Sequence, residues 1–262
     1  MVSDESNKEG SLVLGIDIGG SALKSAPVDT LSGGIVSELF TVPLPETATP
    51  DAMTEAAGVC IDHFEWSGPI GCGYPGVVKG GVVLTAAHVS REWIEVDIIR
   101  QLSQITRGAV TVLNDADAAG LAEMRFGAGK DYNRANGGTV LMVTLGTGIG
   151  TALFHDGQLF PNTEFGHVFL SSGIEAEDIA AASIRTKEDL SWQVWGGRVN
   201  KYLHEMAKLV SPDLIILGGG VSENFDSFQQ YLNSTLEIRV AALGNTAGIV
   251  GAALAATEGI SI

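Results

Sequence analysis

"LVLGIDIGGSALKSAPVD", residues 12–29, is an apolar β-branched run, a pair of glycines and a second alternating run. This order predicts two strands joined by a tight turn, with Asp17 at the end of the first strand. The pattern recurs about half a chain later. "GTVLMVTLGTGIGTALFHDGQLF", residues 138–160, is a strand, a glycine turn, a second strand and a third short one. The two halves do not align as a sequence repeat, but their element order is the same. Two α/β lobes follow, packed together without a proline-rich linker and leaving a cleft of the kind ligands prefer.

Further elements extend from these hairpins. "IVSELFTV" (35–42) is expected to form a third strand, and "TPDAMTEAAGVCIDHF" (49–64) a helix with a Thr-Pro start. "PIGCGYPGVV" (69–78) and "GGVVLTAA" (80–87) are strand candidates around a glycine-proline loop, and "VDIIRQLSQIT" (96–106) is a helix by periodicity. "AVTVL" then leads into "TVLNDADAAGLAE" (111–123), where Asn114 and Asp115 end an apolar strand and precede an alanine-rich stretch. They could cap a helix, or form a site where the carboxylate takes a proton. Long helices are expected at 176–185 and 190–209. "DLIILGGGVSENF" (213–225) should be a strand, three glycines and a helix capped by Ser222, and "NTAGIVGAALAAT" (245–257) a small-residue helix.

The 262 residues, 45% hydrophobic and 18% charged, suit a globular chain with a substantial core. A formal charge of −16 argues against a nucleic-acid or anionic-membrane binder, both of which want a basic face. The two cysteines, Cys60 and Cys72, fit a reducing compartment and are too few for a cysteine-rich zinc site. The polar N-terminus has no signal-like apolar core, and no apolar run is long enough to cross a bilayer, so a cytoplasmic protein is expected.

Four motifs carry chemistry. In "DIGGS" (17–21) backbone N–H groups can converge on phosphate while Asp17 holds a water-bound Mg²⁺; an ordinary hairpin turn is an equal reading. "LGTGIG" (145–150) repeats the device with Thr147 as an added donor, and a facing pair could grip one phosphate chain. "LGGGVS" (217–222) suits a flat ligand or diphosphate at a helix start, or simply a tight strand-to-helix turn. "PNTEFGH" (161–167) sets a carboxylate and an imidazole three residues apart, able to hydrogen-bond vicinal hydroxyls, though a loop histidine is more often structural. Neither a P-loop nor a Rossmann fingerprint occurs.

Together "GIDIGGSALKSAPVD", "GYPGVV", "VLNDADAAGLAE", "LGTGIGTALFHDGQLFPNTEFGH", "LSWQVWGGRVNKYL" and "DLIILGGGVS" resemble the ROK sugar kinases over Val13 to Ala256. Within that family "DADAAGLAE", "PNTEFGH" and the "LSW" stretch are most like the polyphosphate-dependent glucokinases. The resemblance implies an actin-like ATPase, ribonuclease H-like two-lobed α/β fold with a central ligand cleft. Its small lobe would span 12–113, completed by a C-terminal helix in 246–262, with a large lobe at 114–245 and a flexible tail at 1–11. It also implies phosphoryl transfer to the 6-hydroxyl of glucose from polyphosphate, from ATP, or from both. Asp115 would be the general base. Gly76, Asn114, Glu164, His167 and Glu177 would bind sugar, Glu177 being favoured over Glu175 because Ala180 then takes the family's next small position. Asp17, Gly19, Gly20, Ser21, Lys24, Gly146, Thr147, Gly148 and Gly219 would serve the donor, with Mg²⁺ held by Asp17 through water. A homodimer is the expected assembly.

Three departures stand out. The family's cysteine-rich zinc motif after the Gly-His pair is missing, so His167 is expected to bind sugar with no zinc site. Gly166-His167 is followed by Val168-Phe169 rather than by an acidic residue two positions on. His88 occupies a position where the polyphosphate group usually has asparagine, which bears on sugar choice. Polyphosphate also needs a local basic track in so acidic a chain. Lys24, Arg185, Lys187, Arg198 and Lys201 are the candidates, each of which could equally be a solvated surface charge. The alternatives are a strictly ATP-dependent ROK hexokinase and a non-catalytic sugar sensor. The dozen residues before the first strand are too few for the helix-turn-helix domain of the family's repressors.

Overall fold

The computed structural model describes residues 12–45, 48–87, 89–132, 137–233 and 235–260. The expected tail, 1–11, and His88 lie outside the described residues. The chain divides into two compact units. One runs to Ala122 and takes in Thr246 onward; the other is Glu123–Asn245.

The first unit is built on β1 (Leu12–Ile18), β2 (Ala22–Asp29), β3 (Gly34–Ile35), β4 (Phe40–Pro43), α1 (Pro50–His63) and β5 (Ile70–Tyr74). There follow β6 (Val78–Lys79), β7 (Val82–Val83), α2 (Ile98–Leu102), β8 (Val110–Asn114) and α3 (Asp115–Phe126), within which the division falls. The main sheet runs β3-β2-β1-β5-β8, with β4 also on β2. β1 is antiparallel to β2 and parallel to β5, and β5 is parallel to β8. α1 starts where sequence chemistry puts it, with Thr49 Oγ1 accepting from Ala52 N at 3.3 Å and Pro50 in the first turn. Its face of Met53, Ala57, Cys60 and Ile61 packs into a core with Leu14, Ile16, Leu23, Tyr74 and Trp93.

The second unit contains β9 (Thr139–Leu145), β10 (Ile149–His155), β11 (Gln158–Phe160), α4 (Glu177–Ala180), α5 (Ala182–Lys187) and α6 (Trp192–Val210). It closes with β12 (Leu214–Gly218), α7 (Phe225–Phe228) and β13 (Ile238–Val240), in the sheet order β11-β10-β9-β12-β13. α6 is capped by Ser191 and buries Trp195, Val199, Tyr202, Leu203 and Met206, one face at helical spacing. Helix α8 (Ala247–Glu258) belongs to the first unit and packs on β1, β5 and β8. Its small residues let the backbones approach closely: a Cβ at Gly71 would collide with the Ala252 carbonyl.

Four elements differ from expectation. The strand at 35–42 is two short strands separated by exposed residues, and the helix at 96–106 stops at Leu102, where Ser103 Oγ donates back to Ile99 O at 2.7 Å. The helix at 176–185 breaks at Ala181, which is extended (φ −59°, ψ 153°). There Trp195 Nε1 donates to the carbonyls of Ala180 and Ala181, both at 3.1 Å, a tertiary bond no local pattern encodes. Ser222 does not cap a helix. It sits inside a 3₁₀ turn, Gly220–Asn224, and its hydroxyl donates to Gly219 O at 2.7 Å.

Candidate active site

In the first unit the carboxyl ends of three parallel strands meet. Register sets Asp17 opposite Gly73, and Tyr74 opposite Asn114, so β1, β5 and β8 end side by side. Gly73 lies between two carboxylate-bearing residues: a Cβ there would lie 3.4 Å from Asp115 Cα and 3.6 Å from Asp17 Oδ1. From the other side α8 presents Gly248, where a Cβ would come within 2.8 Å of Asp17 Cγ and 2.9 Å of both its oxygens. Alanine at 248 would therefore displace the carboxylate. The alternating glycines of "GCG" (71–73) were a readable sign of such close approach.

Burial pushes the Asp17 pKa from its ordinary 3.8 up to about 6, and the charge of Lys24, its partner across the β1–β2 hairpin, holds it from rising further. Beyond Asp17 the chain turns through Gly19, whose N–H donates to Ala22 O at 2.9 Å, leaving Gly20 and Ser21 exposed at the tip.

Asn114 and Asp115 divide the two roles open to them. Asn114 caps α3: its Oδ1 accepts from Asp117 N at 3.0 Å. Its Nδ2 donates to Gly76 O at 3.2 Å, which ties the expected sugar-side loop to the end of β8. That loop is further held by Val77 N donating to Thr85 Oγ1 at 2.8 Å, and a Cβ at Gly76 would press within 2.7 Å of Thr85 O. Asp115 is the first helical residue and partly buried, with Oδ1 accepting from Ala116 N at 2.8 Å.

In the second unit the β9–β10 hairpin closes with Gly146 N donating to Gly148 O at 3.0 Å and leaves Thr147 exposed. α5 clasps this turn: Ser183 N donates to Gly146 O at 3.1 Å and Ser183 Oγ to Thr147 O at 2.6 Å. Gly219, with φ +82°, follows β12 and lies against Leu145, whose carbonyl a Cβ would strike.

Beside this hairpin lies a cluster around His167. Reciprocal bonds between Thr151 and Thr163 (Oγ1 to O, 2.8 and 2.9 Å) pin the loop that carries Glu164. The 3₁₀ turn Phe165–His167 follows, with Gly166 pressed on the Ile149 carbonyl. His167 Nδ1 lies 2.7 Å from Glu175 Oε2 and 3.7 Å from Glu177 Oε1, and its Nε2 is 3.6 Å from Glu164 Oε2. A carboxylate only accepts, so Nδ1 carries the proton. Partial burial works against a charge on the ring. The Glu175 hydrogen bond and the charges of Glu177, Glu164 and Glu175 outweigh it and raise the pKa above 6.5. Glu177, at 15% exposure against 33% for Glu175, also accepts from Ile149 N at 3.3 Å. Glu175 is thus the closer partner of His167, although both carboxylates stand in the cluster.

One ligand atom from each of His167, Glu175 and Glu177 lies within 4.8 Å of the others, a spacing that could hold a cation. With Nδ1 engaged by Glu175, the same atoms form an acceptor-rich surface suited to hydroxyl groups. Among the described residues no helix is long and apolar enough to cross a membrane.

The sequence matches the model of the ROK family over residues 13–181. It is 45% identical over 242 residues to the polyphosphate glucokinase of Mycobacterium tuberculosis, covering 92% of this chain and 89% of that one. The structure resembles the inorganic polyphosphate/ATP-glucomannokinase of Arthrobacter sp. strain KM, with a TM-score of 0.90 and 40% identity over 95% of this chain and all of the other. It shares its fold, at 24% identity and a TM-score of 0.79, with a ROK family glucokinase of Streptomyces griseus, over 94% of this chain and 99% of the other. The α/β fold is the actin-like one expected, and the chain belongs to the ROK family.

Proposed function

We propose that this chain is a glucokinase that transfers a phosphoryl group to the 6-hydroxyl of glucose from inorganic polyphosphate, with ATP as a second donor. The observation that carries this reading is the placement of Asp115 beside Asp17 across Gly73, with Gly248 leaving room for the Asp17 carboxylate. Support for the donor and the sugar comes from the names of the relatives, a polyphosphate glucokinase and a polyphosphate/ATP-glucomannokinase.

The chemistry needs few protein groups. Asp115 accepts the proton of the 6-hydroxyl as that oxygen attacks the terminal phosphorus of the donor. The bond from that phosphorus to its bridging oxygen breaks, and the donor leaves one phosphate shorter. Positioning does the rest, because a hydroxyl held in line reacts far faster than a free one. Glu164, His167, Glu175 and Glu177 offer acceptors to the remaining sugar hydroxyls, and Asn114 and Gly76 stand beside the base in the first unit. Glycine turns at Gly19–Ser21 and Gly146–Gly148 offer backbone donors to phosphate oxygens, with Gly219 nearby. The Asp17 carboxylate, held at the mouth of a glycine turn, fits Mg²⁺ bound through water, since that ion keeps most of its waters. Mg²⁺ at Asp17 would neutralise charge on the donor. The working form in this reading is a homodimer.

The test is glucose 6-phosphate formation with Mg²⁺ and either polyphosphate or ATP as sole donor. Turnover with polyphosphate supports the reading. Turnover with ATP alone would replace it with the ATP-dependent hexokinase, and glucose binding without turnover on either donor would leave a sugar sensor.

A further inference from the structure

We infer that α5 is the donor-side wall of the second unit, holding through Lys187 and Arg185 the phosphates of a polyphosphate chain that lie beyond the one transferred. This rests on the proposed function, and it names residues within it that discriminate between donors.

A chain of net charge −16 repels a long polyanion in general, so the donor needs a local cluster of cations. The cations of the second unit are not equivalent. Arg198 is taken by Glu188, at 2.9 Å, and by Ile179 O, at 3.3 Å. Lys208 pairs with Glu205 at 2.9 Å, and Arg239 with Glu237 at 2.8 Å and Asp131 at 3.4 Å. Lys201 lines a separate hollow whose wall also carries Asp178 and Glu205. Arg185 and Lys187 differ from all of these because they ride on the helix fastened to the turn by Ser183.

Geometry then assigns their parts. Lys187 is exposed and stands four residues after Ser183, hence on the same helical face. Helical side chains lean toward the N-terminus, which inclines Lys187 back over the residue that clasps Thr147. Arg185 leaves α5 on another face. Its guanidinium carbon lies 3.5 Å from the centroid of the Trp192 ring, and its Nε is buried with no hydrogen-bond partner among the described residues. Trp192 is itself stacked on Phe228, with centroids 6.0 Å apart at 18°. A guanidinium is planar and offers its N–H donors as a fixed fork, the geometry that suits phosphate oxygens, and the contact with Trp192 limits where that fork can move. Glu188 follows directly, but Arg198 engages it, so it does not cancel the two charges. ATP, with three phosphates, is held mainly at the turns and has less chain to offer α5.

The experiment compares Lys187→Glu, Arg185→Lys and Arg185→Ala with the wild type, using long-chain polyphosphate and ATP as alternative donors. Lys187→Glu alters an exposed side chain and keeps the fold, which melting checks; Arg185→Lys guards against loss of the Trp192 stack. The expected result is a KM for polyphosphate raised about tenfold in Lys187→Glu and Arg185→Ala, with the KM values for ATP and glucose within about twofold of wild type. Arg185→Lys should fall between. Wild-type turnover on polyphosphate with variants that change neither donor, or both equally, overturns the role of α5 while leaving the proposed function intact. A wild type that uses only ATP overturns both.

Discussion

The two glycine hairpins are built alike and differ in charge. β1 and β9 are both seven residues long, with the same alternation of buried and partly buried positions. Each is the first strand of an antiparallel hairpin, and each lies parallel to a third strand. Asp17 in β1 matches Thr144 in β9 by position, one residue before the strand end. Asp17 faces Lys24 on one side and Gly73 on the other; Thr144 faces Gly150 and Gly218. One scaffold thus presents a carboxylate and a lysine at the first turn and only neutral groups at the second. In our reading the first turn handles the metal and the site of proton transfer, and the second grips phosphate through backbone N–H groups that α5 holds in place.

That contrast orders the expected effects. Asp17→Asn should lower kcat/KM by about a hundredfold or more, because a neutral amide attracts a hydrated divalent cation far less than a carboxylate does. The same change should raise the melting temperature by a few degrees, since a carboxylate whose burial lifts its pKa to about 6 costs stability once ionised. The sign follows from linkage: Asp17 stabilises the fold most below pH 3.8, and that contribution is lost as pH rises toward 6. The variant's advantage should therefore appear at neutral pH and vanish near pH 4. Loss of activity with a lower melting temperature would make Asp17 structural.

Next comes His167→Ala, expected to raise the glucose KM about tenfold with little change in kcat, the loss of one charge-assisted hydrogen bond. The His167 pKa is raised, so its stabilising contribution is present below pH 6.5 and fades as pH climbs through the folded value. A large fall in melting temperature with unchanged glucose affinity would mark it as structural. Chelation with EDTA should stop turnover by removing Mg²⁺ yet leave melting unchanged; a drop in melting would indicate a structural cation among His167, Glu175 and Glu177. Ser183→Ala should raise the KM of both donors by about threefold, since it loosens the second turn without removing a charge. Thr144→Val should be nearly silent. An effect of Thr144→Val as large as that of Asp17→Asn would erase the distinction between the hairpins.

Much of this was legible in the sequence because it is local. Glycine after an apolar run marks both hairpins, and Thr49-Pro50 marks the start of α1. Asn114 and Asp115 were readable as cap or site, and the two roles divide: Asn114 caps α3 while Asp115 stays beside Asp17. What was missed depends on tertiary contacts. The Trp195 indole breaks the helix at Ala181, and α8 presses Gly248 onto Asp17 from far along the chain. The bonds from Ser183 to the second turn likewise join residues 36 apart in sequence. The preference for Glu177 rested on the family's small position at Ala180; the structure holds both carboxylates in the cluster, with Glu175 at 2.7 Å and Glu177 at 3.7 Å from His167, a difference only the folded chain displays.

The most direct test of the central claim is glucose 6-phosphate formation by Asp115→Asn, run beside calorimetric titration of the same variant with glucose. The account predicts a kcat lower by about a thousandfold, the scale of a lost general base, with glucose affinity kept within about threefold. Turnover near the wild-type rate would remove Asp115 from the chemistry and leave it as a residue at the start of α3.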